Sequence, residues 1–117
     1  MSEIIELRNQ LRAFSEEREW EQFHTPKNLS MALSVEVSEL VEHFQWLTEE
    51  ESLRIMDLKN TEICDELADI FLYLIRLSDI LNVDLIEASK QKIIKNRDKY
   101  PANLVRGKAN KYTDYEK

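Results

Sequence analysis

Apolar residues recur at steps of three and four positions along most of this chain, which is the period of a helix that buries one face. The pattern predicts four main helices, over residues 3–22, 26–46, 61–81 and 85–99. It also predicts a short helix over 49–55 and a break or bend near 56–60. Because these segments cover most of the chain, we predict an all-α, four-helix-bundle-like fold.

Polar residues mark the expected ends of these helices. The predicted N-caps are Ser2, Thr25 and Asp84. Thr48 and Glu51 have the three-residue spacing of a capping box, in which each side chain accepts a hydrogen bond from the other residue's backbone N–H. Asn82 is expected to end the third long helix, and Pro101 lies just beyond the end of the fourth.

Glycine and proline are scarce, with one glycine at Gly107 and two prolines at Pro26 and Pro101. A P-loop or a Rossmann turn needs several glycines to bring the backbone close to phosphate, so neither is present. Folds with many β-turns are disfavoured for the same reason. The 117 residues fit one domain over 1–117, in which 101–117 show no helical period and are predicted to form an irregular tail.

The stretch from Leu67 to Ile75 is apolar nearly all round the predicted third helix. A helix of this kind is buried on most of its faces. So short a chain has little other material to cover it. We therefore expect part of the cover to come from a second copy, so that homo-oligomerisation completes the fold.

Charge is unevenly distributed, although the whole chain has a formal net charge of −7. Residues 1–89 hold 20 acids and 7 bases, whereas residues 90–111 hold one acid and 8 bases. An acidic body is repelled by the phosphate backbone, so we expect no nucleic-acid partner. A basic segment beside it fits a small anionic ligand whose metal ion is held by the acids.

The single cysteine, Cys64, lies in an apolar helical pattern and cannot form an internal disulfide. We predict a buried free thiol, which suits a reducing compartment. No basic segment followed by an apolar run is visible at the start, and no stretch approaches the ~18 apolar residues of a membrane span. The expectation is a cytoplasmic protein with no membrane partner.

Two pairs of acids are the strongest candidates for chemistry. Glu36 and Glu39 are three residues apart on the second helix, and Glu66 and Asp69 are three apart on the third. Residues at this spacing share a helix face, so antiparallel packing would bring the pairs together. A solvated acidic face is the alternative, but both pairs are interleaved with apolar residues. Carboxylates there repel one another unless a cation compensates.

The remaining residues narrow the choice of metal. A di-iron bundle uses Glu-x-x-His pairs, and neither His24 nor His43 lies three residues after a glutamate in the body of a helix. A zinc site built from cysteine and histidine is equally unsupported. An all-carboxylate site for Mg²⁺, with Mn²⁺ able to substitute, is what remains, and such sites usually handle phosphates.

The spacing Glu36-x-x-Glu39 followed by Glu66-x-x-Asp69 resembles the signature of the MazG-like, all-α NTP pyrophosphohydrolases. Further stretches are similar to the dCTP pyrophosphatase branch of that family: residues 17–24, 26–29, 39–40, 44–46, 69–74, 96–97, 100–102 and 111–113. The resemblance covers about residues 10 to 113. One departure is that Ser34 and Ser38 stand where the branch often carries glycines around its first acid pair.

The resemblance implies hydrolysis of a (deoxy)nucleoside triphosphate, dCTP-like or non-standard, to the monophosphate and pyrophosphate, as in nucleotide-pool house-cleaning. It implies Mg²⁺ on the four acids and assembly as a dimer or as a tetramer made of two dimers. It also implies nucleotide contacts, with a base pocket at Trp20 and Trp46 and with His24, Asn28, Tyr73, Lys92 and Asn96 nearby.

The physical roles of the residues agree with this activity. Lys92, Arg97 and Lys111 are suited to bind the triphosphate. Glu36, Glu39 and Glu66 are each candidates to orient the attacking water, and the sequence does not choose among them. Two other functions stay open: a helical interaction module without catalysis, and a magnesium phosphohydrolase acting on ppGpp or a histidine-pathway nucleotide.

Overall fold

A computed structural model describes residues 2–109 and 113, and every regular element in that part of the chain is a helix. The helices are α1 (Glu3–Glu17), α2 (Pro26–Glu42), α3 (Glu49–Ser52), α4 (Ile55–Ile80), α5 (Leu85–Lys99) and α6 (Ala102–Val105), with a short 3₁₀ turn at Glu21–Phe23. The chain divides into two compact units, residues 1–83 and 84–117. The expected all-α fold is therefore observed.

In the first unit, α4 is the central helix and both α1 and α2 pack against it. Four apolar side chains form the buried core between them: Leu29, Ile55, Ile63 and Ile75, each at most 6% exposed. Within the described residues, three polar side chains, Ser15, Arg76 and Ser78, are buried as well. This packing gives α4 one face toward α2 and another toward α1, and the candidate site uses both.

The predicted caps are confirmed. Ser2, Thr25 and Asp84 each accept a hydrogen bond from the backbone N–H three residues later. Thr48 and Glu51 form the capping box in both directions. Asn82 adopts a left-handed φ of 57°, and the next N–H, of Val83, donates to Ser78 O at 2.8 Å, which ends α4 as expected.

The first helix ends at Glu17, five residues before the predicted end. Glu19 has a left-handed φ of 54°, Glu19 N donates to Glu16 O, and Trp20 N donates to Ser15 O at 2.9 Å. This is the same type of C-terminal turn as at Asn82, but here it is built on a glutamate, which rarely adopts this conformation. The turn places the Trp20 ring 5.6 Å from that of Phe14.

Three other boundaries differ from the prediction. Helix α2 ends at Glu42 rather than near 46, because the N–H groups of His43 and Phe44 bond to carbonyls three residues back and tighten the chain into turns. Helix α3 ends at Ser52 rather than near 55. The bend expected near 56–60 is a kink at Lys59 (φ −134°, ψ 39°) inside α4, which begins at Ile55 rather than at 61.

In the second unit, α5 has the predicted bounds, but the expectation that 101–117 are irregular is wrong for its first residues. Ala102–Val105 form one helical turn, in which Leu104 N donates to Pro101 O at 2.9 Å. The ring of Pro101 fixes its φ near the helical value, at −57°, which favours a helix start at this point. One helical turn is too short to show a repeat of apolar residues in the sequence. Gly107 follows with a left-handed φ of 76°.

The predicted burial of Cys64 is wrong, because its side chain is exposed. Within the apolar stretch of α4, Ile75 is buried at 2% exposure, but Leu67 and Phe71 stay 51% and 41% exposed. Helices α1 and α2 cover only part of the circumference of α4. None of the helices within the described residues is both long and apolar enough to cross a membrane.

Candidate active site

Three carboxylates from two helices meet at the contact between α2 and α4. Glu36 and Glu39 are on α2 and Glu66 is on α4, and one oxygen of each lies within 4.8 Å of the others. All three side chains are partly buried. The three-residue spacing on α2 puts its two acids on the face that packs against α4, so the sequence pattern and the packing together produce the cluster.

Two oxygens of this cluster lack a hydrogen-bond partner within the described part of the chain. Among the described residues, Glu36 Oε2 and Glu66 Oε2 are buried without a hydrogen-bond partner. Burial, followed by the hydrogen bond and charge of Glu39, raises the pKa of Glu36 from 4.5 to about 7. Burial and then the charge of Glu39 also raise the pKa of Glu66, while His43 opposes the rise. Burying a carboxylate oxygen without a hydrogen-bond partner costs free energy, so binding of a positively charged ligand would stabilise the cluster.

The donor set fits a hard divalent cation. Every converging atom is a carboxylate oxygen, which is the ligand type that Mg²⁺ and Mn²⁺ prefer. Asp69, the fourth predicted ligand, is one turn further along α4. Its charge contributes to raising the pKa of Glu36 and of Glu66, but its oxygens are not among the three that converge.

Two basic side chains that the sequence pattern did not single out lie beside the cluster. His43 Nε2 is 4.0 Å from Glu66 Oε1, and Lys59 Nζ is 3.4 Å from His43 Nδ1. His43 follows Glu39 by four positions at the end of α2, so the helical period places it on the same face as the acids. Lys59 reaches it from the kink in α4, which local sequence does not reveal.

A cavity of about 400 Å³ lies between α1 and α4. Four predicted site residues line it: Trp20, His24, Asp69 and Tyr73. The remaining wall is mostly apolar, formed by side chains such as Leu7, Leu11, Phe14 and Leu72. Its size lies in the range of ~300–1,000 Å³ that is common for small-molecule sites.

The polar end of this cavity is built on Arg76. Its Nε donates to His24 Nδ1 at 3.1 Å, and Ser15 Oγ lies 3.5 Å from the same nitrogen. Burial and then the charge of Arg76 lower the pKa of His24 below its ordinary value of 6.5. Behind Arg76, Asp79 Oδ2 lies 3.6 Å from Nη1 and accepts from Arg12 Nε at 2.7 Å. Arg76 could have been identified from the sequence as a candidate site residue, because it is a charged residue within the apolar stretch of α4.

Other predicted residues are not among those that line the cavity. Trp46 is 87% exposed, and the Asn28 side chain donates to Phe23 O at 3.0 Å. Lys92, Asn96 and Arg97 belong to α5 in the second unit, where the charge of Lys99, followed by burial, lowers the pKa of Lys92. Lys111 falls outside the described residues.

Comparisons with known proteins agree with this description. The profile of the MazG-like family matches residues 31–115. The dCTP pyrophosphatase 1 of Bos taurus is 46% identical over 103 residues, and that of Homo sapiens is 43% identical over 103 residues. A crystal structure of a pyrophosphatase from Archaeoglobus fulgidus superposes with a TM-score of 0.83 and 40% identity, covering 86% of this chain and 94% of that one.

The two kinds of comparison support each other, because sequence and backbone match over 86% of the chain in both. The chain spans 61% of the length of the two dCTP pyrophosphatases. The resemblance drawn from the acid spacing is confirmed, and so is the all-α fold. With a family profile matched over most of its length, the chain belongs to the MazG-like family.

Proposed function

We propose that this protein hydrolyses (deoxy)nucleoside triphosphates to the monophosphate and pyrophosphate, using a divalent cation held by its acids. The observation that carries the proposal is the convergence of Glu36, Glu39 and Glu66 within 4.8 Å, with two buried oxygens that have no partner among the described residues. The names of the relatives, two dCTP pyrophosphatases and an archaeal pyrophosphatase, support the same reaction class.

Glu36, Glu39 and Glu66 would hold Mg²⁺ or Mn²⁺, together with Asp69. When bound, the ion supplies positive charge for the phosphate oxygens and increases the acidity of a water molecule. The chain's own share is to hold the carboxylates in place before the ligand arrives. Helices α2 and α4 hold these carboxylates in place, because each acid is attached to the rigid backbone of a helix.

Hydrolysis to these products breaks the bridge between the α- and β-phosphorus, and the attack of a water molecule on the α-phosphorus is the step proposed here. The new bond joins the water oxygen to phosphorus, and the bond to the bridging oxygen breaks so that pyrophosphate leaves. One carboxylate among Glu36, Glu39 and Glu66 accepts the proton that the water loses. A base positioned within hydrogen-bond reach of that water is what the reaction needs from the protein.

The base of the nucleotide is proposed to enter the cavity between α1 and α4. Trp20 offers an aromatic face for stacking, and His24 and Tyr73 offer polar atoms on the same wall. Trp46 and Asn28 remain proposed contacts that would come from outside this cavity. The proposed substrate is dCTP-like or a non-standard dNTP, and the names of the relatives support the dCTP-like choice.

The triphosphate is proposed to contact three basic residues of the second half of the chain, Lys92, Arg97 and Lys111, and Asn96 is proposed to lie near the nucleotide. On α5, the charges of the neighbouring Lys99 and Lys95 lower the pKa of Lys92. Cations that repel one another in this way favour an anionic ligand, which relieves the repulsion. This supports the assignment of the basic segment to phosphate binding.

Assembly and location complete the proposal. Apolar side chains such as Leu67 and Phe71 on α4 are left exposed in a single chain. Burial against a second copy would remove them from water, which favours a homo-oligomer, with a tetramer built from two dimers as the proposed form. The protein is proposed to act in the cytoplasm, on free nucleotides.

A substrate panel with product identification tests the function. Purified protein is incubated with the four dNTPs, the NTPs and modified pyrimidine dNTPs, with Mg²⁺, with Mn²⁺ or with excess chelator. We expect pyrophosphate and monophosphate, and no release in chelator. Release of orthophosphate alone, or full activity in chelator, contradicts the proposal. The same panel, extended to ppGpp and histidine-pathway nucleotides, decides between phosphohydrolase classes.

A non-catalytic interaction module is the second candidate, and the exposed apolar side chains of α4 are the observation in its favour. It gives no reason for three carboxylates to converge with two buried oxygens that lack a hydrogen-bond partner in the described part of the chain. Absence of turnover across the whole panel, together with no rise in melting temperature on adding Mg²⁺ and nucleotide, would favour it.

A further inference from the structure

The guanidinium of Arg76 is buried near the C-terminal end of α4, the molecule's most apolar helix. The residue is 6% exposed, and a charge in such a place is retained only with good partners. Its partners are His24 on one side and Asp79 on the other. Asp79 is in turn bound by Arg12 from α1 through two side-chain hydrogen bonds. The row Arg12–Asp79–Arg76–His24 therefore ties α1 to α4 and ends at the cavity.

The contact with His24 specifies the state of the imidazole. A guanidinium can only donate, so the Nε–H of Arg76 at 3.1 Å requires an unprotonated Nδ1 on His24. The neutral ring then carries its proton on Nε2. Among the described residues, the side-chain hydrogen bonds to the imidazole ring of His24 are at Nδ1, from Arg76 and Ser15. The Nε2–H donor is left for a ligand in the cavity that His24 lines.

We propose that Arg76 is a positioning residue for base recognition, which holds His24 as the neutral tautomer with an Nε2–H donor and so favours bases that present a hydrogen-bond acceptor. This inference rests on the proposed function, because it gives a specificity device to the same cavity. A pyrimidine with a ring carbonyl or an unprotonated ring nitrogen has such an acceptor. Arg76 acts through His24 and does not itself contact the base.

The charges around His24 agree with this role. Arg76 faces it from α4 and lowers its pKa, as does burial, whereas Glu21 in the 3₁₀ turn opposes the shift. Ser15 approaches from α1, and the Trp20 ring lies 6.3 Å away. Asp69 and Tyr73 line the same cavity from α4. Removing Arg76 therefore removes both a bond that orients the ring and a charge that keeps it neutral.

A double-mutant cycle tests whether Arg76 acts through His24. The variants are Arg76→Met, His24→Phe, the double variant and Arg76→Lys, with the exposed Arg54→Met as the matched control, all assayed with dCTP and Mg²⁺. We expect Arg76→Met to raise KM roughly tenfold with kcat within about twofold, since one oriented hydrogen bond is lost. The double variant should be no worse than His24→Phe, Arg76→Lys should recover part of the loss, and Arg54→Met should match wild type. Additive effects of the two single variants would overturn the inference.

A second measurement does not depend on turnover. NMR titration of the histidine ring signals is compared in wild type and Arg76→Met, with His24→Phe used to assign His24 against His43. We expect His24 to titrate at higher pH in Arg76→Met and closer to wild type in Arg76→Lys. An unchanged titration in a variant whose circular dichroism matches wild type overturns the inference. If wild type hydrolyses no nucleotide, the proposed function fails, and this titration still decides the role of Arg76.

Discussion

Replacing Glu36 by glutamine separates charge from shape at the carboxylate cluster. The amide keeps the volume of the side chain and removes one negative charge next to Glu39. At the upper separation of 4.8 Å, two unit charges repel by about 0.9 kcal/mol in water and by about 3.5 kcal/mol at an effective dielectric constant of ~20. We therefore expect Glu36→Gln to raise the free energy of unfolding of the metal-free protein by about 1–3 kcal/mol at pH 8.

The pH dependence of this gain has a definite sign. The pKa of Glu36 rises from 4.5 to about 7 in the folded protein, so the folded state holds its proton more tightly than the unfolded state. The stability linked to this proton is complete below pH 4.5 and is lost as pH rises through about 7. The advantage of Glu36→Gln should therefore be large at pH 8 and nearly absent at pH ~4.5, where wild-type Glu36 is itself neutral.

The assay is thermal unfolding followed by circular dichroism, with and without Mg²⁺, at both pH values. The exposed Glu42→Gln on the same helix is the matched control. Each kcal/mol corresponds to roughly 4 °C in Tm for a chain of this size. In Mg²⁺, wild type should gain Tm and Glu36→Gln should gain little. A metal-free Glu36→Gln that melts below wild type at pH 8, or a control that gains as much, would refute the electrostatic reasoning.

Three further outcomes are expected. Glu39→Gln and Glu66→Gln should lower pyrophosphate release by orders of magnitude while circular dichroism stays unchanged, because an amide is a poorer ligand and base; retained turnover would exclude them from the site. Asp79→Asn should lower Tm by several degrees at pH 7 and should weaken the loss of stability that wild type shows below pH 3.8. The reason is that Arg12 holds the pKa of Asp79 below 3.8, so the ionised carboxylate stabilises the folded protein above that pH. An unchanged acid-unfolding profile would contradict this. Light scattering should give a multiple of 13.9 kDa, and a monomer mass would rule out the homo-oligomer.

Helix ends were predictable wherever a side chain makes the cap. Thr25 and Asp84 each bond to the backbone N–H three residues later, and such caps depend on local chemistry alone. The end of α1 was not predictable, because the left-handed residue there is Glu19 and not glycine or asparagine. The surrounding structure overrides that residue's preference, and the same turn moves Trp20 out of α1 to the cavity wall.

The carboxylate cluster was predictable because it depends on one period and one packing. The three-residue spacing puts Glu36 and Glu39 on one face of α2, and the packing of that face against α4 brings them to Glu66. The buried residues of α4 were harder to predict from the sequence, because burial depends on how much of that helix its neighbours cover. Cys64 and Leu67 sit in the same apolar pattern as Ile63 and Ile75, yet the former are exposed and the latter are buried.

The two halves of the candidate site are joined by one stripe on α4. Glu66, Asp69, Tyr73 and Arg76 follow one another at steps of three, four and three, so they lie along one side of the helix. The first belongs to the carboxylate cluster and the last three line the cavity. At 1.5 Å per residue the stripe is about 15 Å long. A ligand with its phosphates at one end and its base at the other matches this order, with Asp69 at the junction of the two halves. The stripe thus gives a physical reason for one helix to carry both the acids and the residues around His24.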